Sequence, residues 1–178
     1  MELHVLIITD PAMPAGLGGT CLAHLSDMHA RINSKPNAAF FQMIQKWTDQ
    51  FGPFDHVMMT GDYMDNLGDE PAAMERMREM IRRIPSHHRP MGVWGNHDSP
   101  LFQQWSRDLP MEWFDDGPWH HPESPLSIFG LHCDSKYGAG DLVASLKEPS
   151  PKSDGAERRY RIMLGHLPGD MIQAAAAG

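Results

Sequence analysis

Three apolar runs, each ending in polar residues and each followed by a segment of helical periodicity, constrain this chain more than any other feature. The runs are "CLAHLSD", "DHVMMTGD" and "MGVWGNHD". After the first, from Pro36, residues Phe40, Phe41, Ile44, Trp47 and Phe51 recur at helical spacing, with the proline suited to a first helical turn. After the second, "EPAAMERMREMIRRI" sets Met74, Met77, Ile81 and Ile84 on one face. After the third, a weaker helical pattern spans Leu101 to Trp105. Strands alternating with helices imply parallel β-α-β crossovers, so the pattern predicts an α/β fold whose strands are buried. Upstream, Leu3 to Ile8 reads as an edge strand, stopped by the Pro- and Gly-rich "DPAMPAGLGGT".

Beyond Pro110 the texture turns irregular and more β-like, with the short runs "LSIFGLHC", "DLVASL" and "RIMLGH". "KEPSPKSDGAERR" reads as a polar loop, and "MIQAAAAG" as a helix cut off early. No repeat of fixed period is present, and 178 residues suit a single domain, 1–178, with room for a proper core.

Composition then narrows the function classes. Hydrophobic residues at 41% and charged residues at 21% are ordinary globular usage, which excludes a disordered or fibrous chain. A net charge of −8 opposes a nucleic-acid-binding surface, which needs a basic stripe. An anionic substrate must therefore be held locally, and carboxylates carrying divalent cations do this. Cys21 and Cys133 form no Cys-x-x-Cys pair and are too few for a disulfide framework, which fits a reducing compartment. The longest apolar runs fall short of a membrane span and no signal-like segment opens the chain, so the expected location is cytoplasmic, without a transmembrane segment. The 14 methionines fall mostly at core-like positions, where a flexible thioether fills gaps, and form no cluster suited to a soft metal.

In open α/β sheets, ligands gather at the carboxyl ends of the strands. The first run ends in Asp27-Met28-His29, the second in Gly61-Asp62, the third in Gly95-Asn96-His97-Asp98, and the late run "RIMLGH" in His166. Any one of these is explained as a turn or a cap, since Gly, Asn and Asp favour turns. Four in succession make a constellation. If the strands are neighbours, Asp27, His29, Asp62, Asn96 and His166 converge with oxygen and nitrogen donors and no thiolate, a set suited to Mn, Fe or Zn at a catalytic rather than a structural site. Asp62 is the candidate bridge between two cations, which in such sites clamp both oxygens of a phosphoryl displacement.

The ordered series "DMH", "GDYMD", "GNHD" and "GH" resembles the calcineurin-like metallophosphoesterases, whose signature is D-x-H, G-D-x-x-[DN], G-N-H-[DE], a later His and a final G-H-x-H. The resemblance covers nearly the whole chain. It implies a two-sheet β sandwich flanked by helices, and two divalent metal ions as cofactors. It implies that Asp27 and His29 hold the first metal, that Asp62 bridges, and that Asn96 and His166 hold the second. His97 is then the acid that protonates the leaving group, with Asp98 supporting it. The implied activity is hydrolysis of a phosphomonoester or phosphodiester by a metal-activated hydroxide. More weakly, "LSIFGLHCDSKYGAGDL" is similar to the branch acting on membrane-lipid and sugar-nucleotide phosphoesters, so the expected partner is a small phosphoester such as a nucleotide-sugar or a lipid head group. Asn96 offers a neutral oxygen, His97 titrates near neutrality as proton transfer requires, and Gly95 lets the backbone turn tightly beneath them.

The sequence departs from the signature in having no G-H-x-H. Three readings follow: the C-terminal part of the fold is incomplete because the sequence is a fragment, the ligands come from elsewhere, or the domain has lost its chemistry and serves as an interaction or regulatory module. The fragment reading also predicts self-association through the incomplete sheet. Other histidines carry no role in this reading. His87 and His88 sit in a helix exit loop, and His24 and His56 read as packed or edge residues. His132 stands nearer the rim. His120 and His121 lie in an aromatic loop with Trp113, Phe114 and Trp119, which either receives substrate or anchors to the core.

Overall fold

Two of the three apolar runs become strands buried on both faces, and this burial fixes where everything else sits. A computed structural model describes residues 4–32, 38–114, 119–133, 159–167 and 172. A 3-10 turn at Ala15–Leu17 precedes the strand β1 (Leu22–Leu25), the helix α1 (Ala38–Phe51) and β2 (His56–Thr60). Next come α2 (Glu70–Arg83), β3 (Met91–Val93), α3 (Pro100–Ser106) and β4 (Glu112–Trp113). These four strands pair in the order β1-β2-β3-β4, every pair parallel. A second sheet holds β5 (Trp119–His120), β6 (Leu126–Leu131) and β7 (Tyr160–Gly165) in that order, with β5 antiparallel and β7 parallel to β6. The α/β class and the two-sheet arrangement with flanking helices are as the sequence predicts.

Successive side chains of a strand face opposite ways, so a strand covered on both sides must be apolar throughout. β2 shows this: Val57 and Met59 join the cluster built by α1 and α2, whereas Met58 joins a second cluster with Met91, Val93, Leu126, Ile128 and Leu164 between the two sheets. On α2 the buried stripe is Ala73, Met74, Met77 and Met80. Met77 is fully buried, and truncating such a methionine to alanine costs about 2–5 kcal/mol. The thioethers act as the gap-fillers expected of them. α3 starts at Pro100 because Ser99 caps it: the Ser99 hydroxyl accepts from Phe102 N at 3.2 Å and donates to Glu70 Oε1 at 2.8 Å.

Two expectations fail together. Residues 4–10 enter no strand, and Val5, Leu6, Ile7 and Ile8 are exposed. β-branched composition favours a strand only where a partner edge supplies the hydrogen bonds, and among the described residues no strand lies against them. β1 is consequently an outer strand of its sheet rather than a buried one, with Ala23 its single buried position. The segments "DLVASL" and "KEPSPKSDG", together with Pro36 and most of "MIQAAAAG", lie outside the described residues.

Candidate metal centre

The parallel register brings the ends of β1, β2 and β3 to one rim, and the backbone continues the ladder past the strands. Asp27 N donates to Gly61 O at 3.2 Å, His29 N to Asp62 O at 2.9 Å and Ala30 N to Tyr63 O at 2.9 Å. The two loops carrying Asp27, His29 and Asp62 are therefore tied to each other rather than free. Among the described residues, three that are not glycine have left-handed backbone angles, and all three belong to this rim: Asp27 (φ 55°), His29 (φ 42°) and Asp62 (φ 54°). Asp and His tolerate that region better than most residues, yet it costs about 1–3 kcal/mol where it occurs, and such outliers gather at functional sites.

Glycine is required where the second and third loops touch. A Cβ on Gly61 would meet Gly95 N at 2.5 Å, and one on Gly95 would meet Asp62 N at 2.5 Å. Gly95 is needed for this close approach to Asp62. It also opens the expected tight turn through Asn96 and His97, closed by Asp98 N on its carbonyl at 3.3 Å, without a positive φ.

Asp62 is nearly buried and its two carboxylate oxygens face different partners. Oδ2 lies 3.6 Å from His29 Nε2, which itself stands 3.7 Å from Asp27 Oδ1. Oδ1 lies 3.3 Å from His166 Nε2, which stands 3.0 Å from Asn96 Oδ1. All five predicted ligand residues are thus brought together, in two groups that share Asp62.

His166 tests whether these groups fit a cation. Its Nδ1 lies 2.7 Å from Thr60 O, an acceptor, so Nδ1 carries the proton. In the neutral ring Nε2 then presents a lone pair to Asp62 Oδ1 and Asn96 Oδ1, also acceptors. Three lone pairs converging on one spot repel unless a positive charge stands among them. A backbone carbonyl on the far nitrogen is also the usual device for orienting a ligating histidine. The donors, carboxylate and amide oxygens with imidazole nitrogens and no thiolate, fit a divalent cation.

The two residues expected to do acid–base work differ sharply. His97 is exposed, and its Nδ1 lies 2.8 Å from the carbonyl oxygen of Asp65. That hydrogen bond is the largest influence and raises its pKa; burial comes next and lowers it, and the carboxylates of Asp62, Asp65 and Asp98 add to the rise. Asp98 is buried and turned away, toward the backbone. Its Oδ2 accepts from Gly95 N at 2.7 Å and Asp62 N at 3.0 Å, and its Oδ1 from Tyr63 N at 2.8 Å and Met64 N at 3.3 Å. Burial pushes its carboxyl up to about 6 despite the amides, with nearby Asp62 adding to the rise.

Asp65, the last residue of "GDYMD", has a place at the rim that the ligand pattern alone does not assign. Its carboxylate lies 3.3 Å from His29 Nδ1 and 2.7 Å from Arg31 Nε, while its carbonyl takes His97. It therefore links both histidines of the exposed side of the rim. The signal was available: it is the [DN] of G-D-x-x-[DN]. His132 accepts from Trp94 N at 3.0 Å and stacks on the Trp94 ring at 4.2 Å, so it braces β3 against β6. Trp113 stacks on Trp94 at 4.8 Å and Phe114 is buried, which makes these aromatics anchors of the core.

Phosphoester hydrolysis at a rim of carboxylates, imidazoles and one amide is the chemistry of a known class. The chain belongs to the calcineurin-like phosphoesterases, whose family pattern matches residues 22–171. No curated protein matches it. Among solved structures it is similar to a protein of unknown function from Aquifex aeolicus, with 15% identity and a TM-score of 0.35, the match covering 62% of this chain and 60% of that one. Among the described residues no helix is long and apolar enough to cross a membrane.

Proposed function

We propose that the protein hydrolyses a small-molecule phosphoester, a phosphomonoester or phosphodiester, at this rim with two divalent metal ions. Asp27, His29 and Asp62 would hold the first ion, and Asp62, Asn96 and His166 the second. The observation that carries the reading is the split of Asp62, with one oxygen toward each group. Bound there, the ions would supply Lewis acidity, acidifying water and neutralising phosphate charge in a net-acidic protein.

The chain's own residues supply the rest. His97 delivers the proton to the leaving oxygen: it is exposed, so substrate reaches it, and the Asp65 carbonyl fixes its Nδ1 and favours its protonated form. Asp98 does not reach the substrate in this reading. It gathers the amides of Asp62, Tyr63, Met64 and Gly95, and so holds the Asp62 turn against the Gly95 turn. Asp65 orients His97 through its carbonyl and sets its carboxylate beside His29.

Asp62→Asn tests the proposal. Elemental analysis should find that this variant loses metal, with loss of turnover on a panel of sugar-nucleotide, lipid-head-group and simple aryl phosphoesters. Full metal occupancy would contradict the bridging role, and a metal-loaded protein inert on the whole panel would favour the interaction-module reading.

A further inference from the structure

At the opposite end of β2 from the rim, three histidines from three separate segments meet. His56 opens the strand. His88 lies in the loop before β3, where His87 N donates to Phe54 O at 2.9 Å and His88 N to Asp55 O at 3.3 Å. His121 follows β5 in the second sheet, with its N–H on Leu126 O at 2.9 Å. One ring nitrogen from each of the three lies within 4.8 Å of the other two, and the Nε2 atoms of His88 and His121 are 3.0 Å apart. The rings of His56 and His88 lie nearly parallel at 4.6 Å, and that of His121 stands across His88 at 4.6 Å. Trp119 sits edge-on to all three, at 5.4, 6.0 and 5.6 Å, as an apolar wall.

We propose that His56, His88 and His121 form a separate binding site for one zinc-class divalent cation, which staples the first sheet to the second. Two observations carry this. The nitrogens converge without any carboxylate or thiolate among them, and imidazole is the ligand type that suits Zn, Cu, Fe and Ni. Independently, His56 is 1% exposed and its buried Nδ1 has no hydrogen-bond partner, so the cluster contains an unsatisfied buried polar atom of the kind folds rarely leave without a ligand.

The site's charge environment is mixed. Asp55, whose Oδ2 takes Cys21 N at 2.6 Å, acts electrostatically on both His56 and His121 and offsets part of a cation's charge. Arg159 opposes, since its guanidinium holds the His121 carbonyl at 2.7 Å. One contact must open on loading. Glu123 N donates to His121 Nδ1 at 3.0 Å, and that nitrogen has to carry the proton when Nε2 binds a cation. The contact is exposed and spans only two residues, so the Pro122–Glu123 turn yields while the three rings stay. Without a cation, the short approach of His88 and His121 is an N–H···N hydrogen bond, and the cluster is packing alone.

The full chain, stripped of metal, separates the two. Zinc is titrated against a chromophoric chelator into the unaltered protein, His88→Ala, His121→Ala and Asp62→Asn. Each histidine variant should lose one molar equivalent of zinc and keep the rim's ions, whereas Asp62→Asn should keep one equivalent. Identical isotherms for the unaltered protein and both histidine variants overturn the proposal. Should either variant fail to fold, imidazole 15N shifts of the unaltered protein on adding zinc decide it. Shifts at His56, His88 and His121 support the site, and shifts confined to His29 and His166 overturn it. The outcome is independent of the rim: Asp62→Asn that keeps every ion defeats the bridging role and leaves this site standing.

Discussion

Asp98 accepts the amide of Asp62 at 3.0 Å through the same oxygen that takes Gly95 N at 2.7 Å, so one buried carboxylate holds two strand ends together. Asn at this position would turn an NH2 group on one pair of amide donors and leave them unsatisfied. Asp98→Asn should therefore destabilise the fold by about 1–3 kcal/mol. It should also weaken metal binding about 10- to 100-fold, the usual effect of losing a residue that orients a metal's ligands. Chemical denaturation and metal titration measure the two. Unchanged metal affinity would show that Asp62 keeps its place without Asp98.

His97→Ala separates proton delivery from metal binding. Turnover of a phosphoester with a poor leaving group should fall by about 10² to 10⁴, the span of general acid catalysis, while metal content stays the same. A nitrophenyl ester, whose leaving group needs no proton, should be affected far less. In the metal-free protein the Asp65 carbonyl raises the His97 pKa, so an NMR titration of its ring should show protonation persisting to the alkaline side of the ordinary histidine value. Equal losses on both esters would remove His97 from the proton-transfer step.

The parts legible in the sequence are those set by local pattern. β2 and β3 are readable because a doubly buried strand must be apolar at every position, and Asp27, His29, Asp62 and Asn96 because parallel strands deliver their ends to one rim; His166 follows β7 of the second sheet and reaches that rim through the packing of the two sheets. Leu3 to Ile8 misled because strand formation depends on a partner edge that composition does not specify. Asp98 stands next to His97 in the chain, yet it serves amides 34 to 36 residues earlier and one just three residues away. His56, His88 and His121 are separated by tens of residues and meet only through the packing of one sheet on the other, which no local spacing encodes.

Gly95→Ala probes the close approach directly. Its Cβ would lie 2.5 Å from Asp62 N, against backbone that cannot rotate away. Overpacking of this kind costs about 1–3 kcal/mol. Because the displaced group is the Asp62 turn, metal affinity should fall together with stability. Gly16→Ala is the control, since its Cβ would meet Pro125 Cδ at 3.5 Å and Cγ at 3.9 Å, ordinary contacts. Equal behaviour of the two variants would contradict the argument.

Acid should destabilise the metal-free protein through its buried histidines. Burial, then the His88 and His121 rings, push His56 down to about 4 against the pull of Asp55. Burial lowers His121 and His24 as well. A histidine whose native pKa lies below its unfolded value of about 6.5 stabilises the fold fully above that value, and the contribution is lost as pH falls through the native one. Asp98 runs the other way: raised to about 6, it favours the fold more as pH drops from there toward the unfolded value of about 3.9. His97, whose native pKa is raised, also favours the fold as pH drops, but it is exposed and its contribution is small, so with three lowered histidines against it and Asp98 the melting temperature should fall between pH 6.5 and 4. His56→Gln should flatten that decline. A variant with the same pH slope as the parent would rule His56 out as its source.

The two groups that share Asp62 should bind their ions unequally. The first has the carboxylates of Asp27 and Asp62 with His29, whereas the second has Asp62, a neutral amide from Asn96 and His166. Rigidity favours the second, since the Asp27 side chain is 56% exposed and that of His166 only 8%. Charge favours the first. Ordering the Asp27 side chain costs about 1 kcal/mol, while an added negative charge at bonding distance from a divalent ion contributes several kcal/mol even at an effective dielectric constant of about 20. Charge should win, giving a first site at least about tenfold tighter, in line with affinity following ligand charge count. In a stepwise titration with Mn2+ or Zn2+, Asp27→Ala should then abolish the tighter rim step, and Asn96→Ala should weaken only the looser one. Loss of the tighter step in Asn96→Ala, with Asp27→Ala unaffected, would mean that the order set by the buried His166 outweighs charge at this rim.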